Sequence, residues 1–339
     1  MKKKKVILSF DYELFFGDKS GTVLKTLIEP TNKILDAMDS VGFKGNFFID
    51  WQMLKYLKEE NTERTLSDYN LIKNQLKDMV RRGHRIELHI HPHWVDAKYN
   101  GDGTWNFDDF SHYSLQSFTQ SEITKLFEEG VGLLTAIAQD VDPSYKIVAF
   151  RAGGWAIQPF DKIKEGFIKT GIMIDSSASF GQAAVHKDSF YDFRNMPKKG
   201  LYRFNNDVCE EDEKGCFIEV PISSQKRIFI NKVLTFLIRK TTNRFAFLTD
   251  GTHYRAKDVE FEEKNQPPVS RKDKIGMMGL RENPLNMPIN IYRHPNNLIC
   301  FIDHPKDFNG LTCGSLKWIG RTSRTITYFD LYKEYCNNE

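Results

Sequence analysis

KKVILSFDYE, residues 4–13, is a short apolar run that stops on a carboxylate. Val6–Phe10 is rich in β-branched and aromatic side chains and reads as a buried strand. Asp11 ends the run and Glu13 follows two positions later, on the same face of an extended chain. The same unit returns along the sequence. GNFFI (45–49) stops at Asp50, RIEL (85–88) at His89, YKIVAF (145–150) at Arg151 and GIMI (171–174) at Asp175. NLICFI (297–302) stops at Asp303 and His304, and GCFIEVPI (215–222) holds Glu219. Amphipathic stretches of helical period lie between them, at 28–41, 66–82, 121–139 and 157–170. One of these opens on Ser121 as a candidate cap and is expected to close at or soon after Gly130. Strand and helix alternating at this spacing predict parallel strands with crossover helices, an α/β barrel. The polar residues then gather at the C-terminal rim, where barrel active sites are built. Turns favour Asn, Gly, Ser and Asp, so His and Arg at these ends need another reason.

Composition narrows the classes. The 339 residues are 40% hydrophobic and carry a net charge of +3, to which Lys2–Lys5 contribute four positive charges. The remainder is close to neutral, so nucleic acid is not an expected partner. The apolar run VILSF after the lysines is shorter than the ~7–15 residues of a signal peptide, and no stretch approaches the ~18–20 of a membrane span. Five scattered cysteines read as reduced thiols in a cytoplasmic protein, although Cys209 and Cys216 are close enough in sequence for a local bridge.

ELHIHPHW (87–94) sets His89, His91 and His93 at alternate positions. Pro92 cannot donate to a ladder and disfavours helix before it, so the strand is expected to end near His89 and the chain to turn. A turn brings His89 and His93 within reach of one metal ion. Two histidines and a carboxylate around an open position form a catalytic metal pattern. Asp11 and Glu13 could divide the work, one as ligand and one as base.

SFDYE, LHIHPH, FRAGGW, DSS and FIDHP occur in that order on successive strand ends. Together they resemble the polysaccharide deacetylase family with a NodB-type domain, over about residues 4–180 and 297–310. The resemblance implies a deformed (β/α) barrel of about seven parallel strands, with one barrel spanning 1–339. The segment 181–297 then stands as an insertion or cap before the last barrel strand. It implies a divalent transition metal, usually zinc, and removal of N-acetyl groups from amino sugars. Residue by residue, Asp11 resembles the general base, His89 and His93 the metal histidines, Arg151 the partner of the base and His304 the general acid. Two features depart from the family. Tyr12 stands where a second Asp usually ligates the metal, which makes Glu13 the candidate ligand. Arg-Ala-Gly-Gly replaces Arg-Pro in the third motif.

Other residues have supporting expectations. His91 is expected to touch a metal ligand or the substrate, Asp175 or Asp303 to orient His304, and Trp94 and Trp155 to be candidates for stacking on sugar rings. The expected substrate is a small-molecule or lipid-linked amino sugar used in cytoplasmic steps of surface-glycan synthesis. The alternatives are a non-catalytic sugar-binding or scaffold barrel and a metal-dependent amidase of a non-sugar amide.

Overall fold

The computed structural model describes residues 3–17, 19–186, 189–226, 229–253, 275–280 and 286–336. Its main sheet is built from β1 (Lys5–Tyr12), β2 (Asn46–Asp50), β3 (Arg85–Ile90), β4 (Ala149–Ala152), β5 (Ile174–Asp175), β6 (Tyr202–Phe204), β7 (Phe217–Glu219) and β8 (Leu298–Asp303). Spatially they run β6-β7-β5-β4-β3-β2-β1-β8, with Arg324–Thr325 as a short extra pair to β1. Seven of the eight are parallel; β6 alone pairs antiparallel, with β7. The sheet curls into a half-barrel. Where it stays open, the chain after β7 reaches toward β8: Ser223 N–H donates to the Cys300 carbonyl and Met278 N–H to the Ser223 carbonyl. The fold class expected from the strand ends is therefore present, and β8 lies beside β1 with Phe10 opposite Asp303.

Helices cover the outside: α1 (Glu29–Asp39), α2 (Trp51–Glu60), α3 (Glu63–Arg81), α4 (Gln120–Gln139) and α5 (Lys164–Thr170). The α4 start differs from expectation. Thr119, not Ser121, is the cap, and Glu122 reaches back to its N–H and hydroxyl in a capping box. Gly130 does not end α4 either. It lies mid-helix, where a Cβ would sit 2.7 Å from Leu88 and Trp51, so the missing side chain lets α4 press against β3 and α2.

Two cores result. The larger fills the space between sheet and helices. The smaller lies inside the curl, with Ile7, Phe48, Ala149, Ile174, Ile218 and Cys300 closed by Tyr328 and Leu331 of the helix Tyr328–Cys336. The span 181–297 divides: β6 and β7 belong to the main sheet, while α6 (Phe229–Thr241), a strap at 247–253 and α7 (Asn286–Arg293) lie beyond it. Much of the Pro- and Asn-rich stretch 264–290 falls outside the described residues. Cys209, Cys216, Cys300 and Cys313 are free thiols, so no Cys209–Cys216 bridge forms. Among the described residues no helix is long and apolar enough to cross a membrane.

Candidate active site

Strand alternation builds the site. On β1, Ser9, Asp11 and Glu13 point into the curl, while Tyr12 points outward and donates to Gln75 Oε1 of α3 at 2.8 Å. Tyr12 therefore does not fill a ligand position. On β3 the ladder runs to Ile90, so His91 stays on the same side as His89. The geometry thus sets His91, and not the expected His93, beside His89 and Glu13. Glu13 Oε2 lies 3.0 Å from His89 Nε2 and 2.5 Å from His91 Nε2, and these three residues form one candidate ligand group. His93 has already entered the helical turn Pro92–Asp96, and its ring packs among Phe16, His91, Phe107 and Tyr113. The loop after β4 closes on this group through Gly153, whose Cβ would come within 2.6 Å of the Ile90 carbonyl and 2.7 Å of His91 Nδ1.

The electrostatics follow from burial and from two cations. Arg151 is fully buried, its Nη1 2.5 Å from Asp11 Oδ1, its Nη2 donating to Ser9 Oγ and its guanidinium stacked over Phe48. Burial alone would lower its pKa; the adjacent Asp11 more than reverses this. Lys306 is the second cation and was not anticipated. It follows the last strand in the one-turn helix Pro305–Asp307 and donates to Glu13 Oε1 at 2.6 Å and to the Leu14 carbonyl at 3.0 Å. Burial pushes the Glu13 carboxyl up, but His91, Lys306 and hydrogen bonds from the histidines outweigh it and hold it well below the usual range. Burial drives His91 down to about 4 and His93 well below its ordinary value. His89 moves the other way, because Asp11 and Glu13 more than offset its burial.

His304 completes the group. Its Nε2 lies 3.5 Å from Asp11 Oδ2 and 3.7 Å from Glu13 Oε1. The carboxylate facing its other nitrogen is neither Asp175 nor Asp303 but Asp307, with Oδ2 3.4 Å from Nδ1. Asp303 instead accepts from the His304 and Leu280 backbone N–H groups, and Asp175 accepts from Ser177 beside Glu219. Asp307 Oδ1 is met by His253 Nε2 at 2.5 Å, a residue of the strap. Trp94 is buried and donates to Asp50 Oδ2 at 2.6 Å, which makes it a prop for β2 and not an open stacking surface. Burial raises Asp50 to about 7. Trp155 is half-buried, with φ 61°, against Tyr191.

The donor set fits a divalent cation. His89 Nδ1 lies 2.6 Å from the Arg151 carbonyl, which can only accept, so Nδ1 carries a proton. Nε2 is then the atom that faces Glu13, as a proton donor in the imidazolium or as a ligand to a cation held between the two. Two ligands of a tetrahedral zinc ion stand about 3.4 Å apart, given metal–ligand bonds near 2.1 Å. The observed 3.0 and 2.5 Å would open by about 0.4 and 0.9 Å to admit such an ion.

No family model and no curated protein matches the chain. Solved structures do. A protein from Parabacteroides distasonis described as a glycoside hydrolase/deacetylase aligns with 99% of this chain and 72% of its own, at 9% identity and TM-score 0.57. One from Mycobacterium smegmatis described as a polysaccharide deacetylase aligns over 98% of this chain and 91% of its own, at 12% identity and TM-score 0.45. A 4-α-glucanotransferase from Thermococcus litoralis aligns over 97% of this chain and 38% of its own, at 12% identity and TM-score 0.48. The Parabacteroides distasonis match shows a shared fold, in keeping with the deformed (β/α) barrel expected from the NodB-type resemblance.

Proposed function

We propose that this half-barrel is a metal-dependent carbohydrate deacetylase, hydrolysing the N-acetyl group of an amino sugar. One observation carries the reading: the Arg151-held Asp11 and the Asp307-facing His304 converge beside Glu13, His89 and His91. Glu13, His89 and His91 would hold the cation; zinc or a similar ion held there would polarise the amide carbonyl and acidify a water. Arg151 engages Asp11 Oδ1 and leaves Oδ2 to take a proton from the attacking water. His304 Nε2, on the Oδ2 side of Asp11, returns a proton to the departing amine, while the Asp307 carboxylate faces its Nδ1 at 3.4 Å. Phe16 closes over His91 and keeps bulk water from that side of the ligands. Reduced thiols agree with a cytoplasmic substrate, a small-molecule or lipid-linked amino sugar of surface-glycan synthesis.

The test is acetate release from a panel of N-acetylated amino sugars by zinc-loaded protein, with Asp11→Asn as control. Release by the native protein and its loss in the variant support the reading. No release from any sugar, or equal release by the variant, removes it. A second reading rests on Lys306. Its ammonium already neutralises Glu13, so the barrel could carry its cation as a side chain and bind sugars without hydrolysing them. In that case the protein takes up no metal and still binds the sugars.

A further inference from the structure

The helix α6 is turned the opposite way from a surface helix of a globular domain. Asn231 and Thr235 are on the side that meets the body: Asn231 Nδ2 donates to Asn290 Oδ1 at 2.7 Å, and Asn286 Nδ2 donates to the Asn231 carbonyl and Thr235 Oγ1 at 3.2 Å each. The apolar stripe faces out. Phe229, Val233, Phe236 and Leu237 follow one another at i, i+4, i+7 and i+8, and Phe229, Phe236 and Leu237 are 80%, 56% and 51% exposed. Ile230 adds to the same side, 47% exposed.

Charge accompanies the stripe. Lys226, Arg227, Lys232, Arg239, Lys240 and Arg244 fall in or beside α6, and no Asp or Glu occurs between Glu219 and Asp250. Lys232, Arg239 and Lys240 are exposed on the helix itself, with Lys240 over the Phe236 ring at 4.7 Å. A stripe flanked only by cations complements an apolar layer bearing anionic headgroups. The chain leaving α6 also leads directly to the site rim: Leu248 N–H donates to the Phe308 carbonyl and Thr249 Oγ1 to the Lys306 carbonyl.

We propose that α6 is a membrane-docking helix that lies in the surface of an anionic bilayer, its Phe and Leu side chains among the acyl chains and its Lys and Arg side chains at the headgroups. This surface is independent of the deacetylase reading, and its test does not use catalysis. Full-length protein is sedimented with vesicles of phosphatidylcholine alone and of phosphatidylcholine with 30% phosphatidylglycerol, about the anionic fraction that produces a substantial surface potential. The expected result is binding to the anionic vesicles only, weakened by salt and reduced roughly tenfold or more by Phe236→Glu with Leu237→Glu or by Arg239→Gln with Lys240→Gln. Circular dichroism and thermal melting establish that each variant is folded; the side chains are exposed, and the charge pair gives a second route if the apolar pair fails to fold. Failure of the folded native protein to bind anionic vesicles overturns the proposal, as does equal binding to both vesicle types. Self-association lost in Phe236→Glu with Leu237→Glu, without vesicle binding, also overturns it and assigns the stripe to a second copy of this chain.

Discussion

At the residue scale, the choice between His91 and His93 is the sharpest point. The strand period keeps His91 beside His89, while the turn after Pro92 carries His93 into aromatic packing. His91→Ala is therefore expected to weaken zinc binding by about 10- to 100-fold or more, the range seen even for outer-shell partners, while His93→Ala leaves the affinity within a few-fold. Calorimetric titration of both variants checks this, and the opposite ranking returns the ligand role to His93. Asp11→Asn is expected to keep the metal and lower turnover by roughly 10²–10⁴. Loss of metal in that variant makes Asp11 a ligand. Asp11, His89, Arg151 and His304 were legible because each ends an apolar run, where the strand fixes the direction of the side chain. Lys306, Asp307 and His253 were not. Lys306 and Asp307 lie in a single helical turn after β8, and His253 lies in an irregular strap, so no period reveals where their side chains point.

At the element scale, caps and close contacts explain where the sequence misleads. A glycine in a helical pattern reads as a stop, yet Gly130 is a contact point between α4, β3 and α2. Gly130→Val is expected to destabilise the fold by about 1–3 kcal/mol through overpacking against Trp51 and Leu88, read as a lowered denaturation midpoint. An exposed Gly132, with open space around its Cβ position, is the control. Thr119→Ala removes the α4 cap and should cost about 1 kcal/mol. The α6 stripe lies in the span 181–297, which in the sequence reads only as an insertion or cap; which of its faces is buried is set by Asn286 and Asn290 of α7, a tertiary contact that no local pattern carries.

At the scale of the whole molecule, the repeated run-then-polar-residue unit was enough to specify parallel strands and a common rim. It did not show that the sheet stays open, because closure depends on how the chain after β7 meets β8. Below the rim, Asp175 and Glu219 face each other across β5 and β7, both fully buried. Burial and the Asp175 charge raise Glu219 well above its ordinary value, so it holds a proton that unfolding releases. The folded state then binds more protons than the unfolded state, and stability falls as pH rises from the ordinary carboxyl range toward the raised value. Denaturation of metal-free protein at pH 5 and pH 8 should show a larger loss for native protein than for Glu219→Gln. Equal losses contradict a buried neutral Glu219.

The central claim is that Glu13, His89 and His91 form one metal site. Titrating metal-free protein with cobalt(II) tests it most directly, because the visible bands report the number of ions and the ligand field together. The account predicts one saturable equivalent with a tetrahedral or five-coordinate spectrum, lost in His89→Ala and His91→Ala and kept in His304→Ala. No binding, or binding unchanged in both histidine variants, contradicts it.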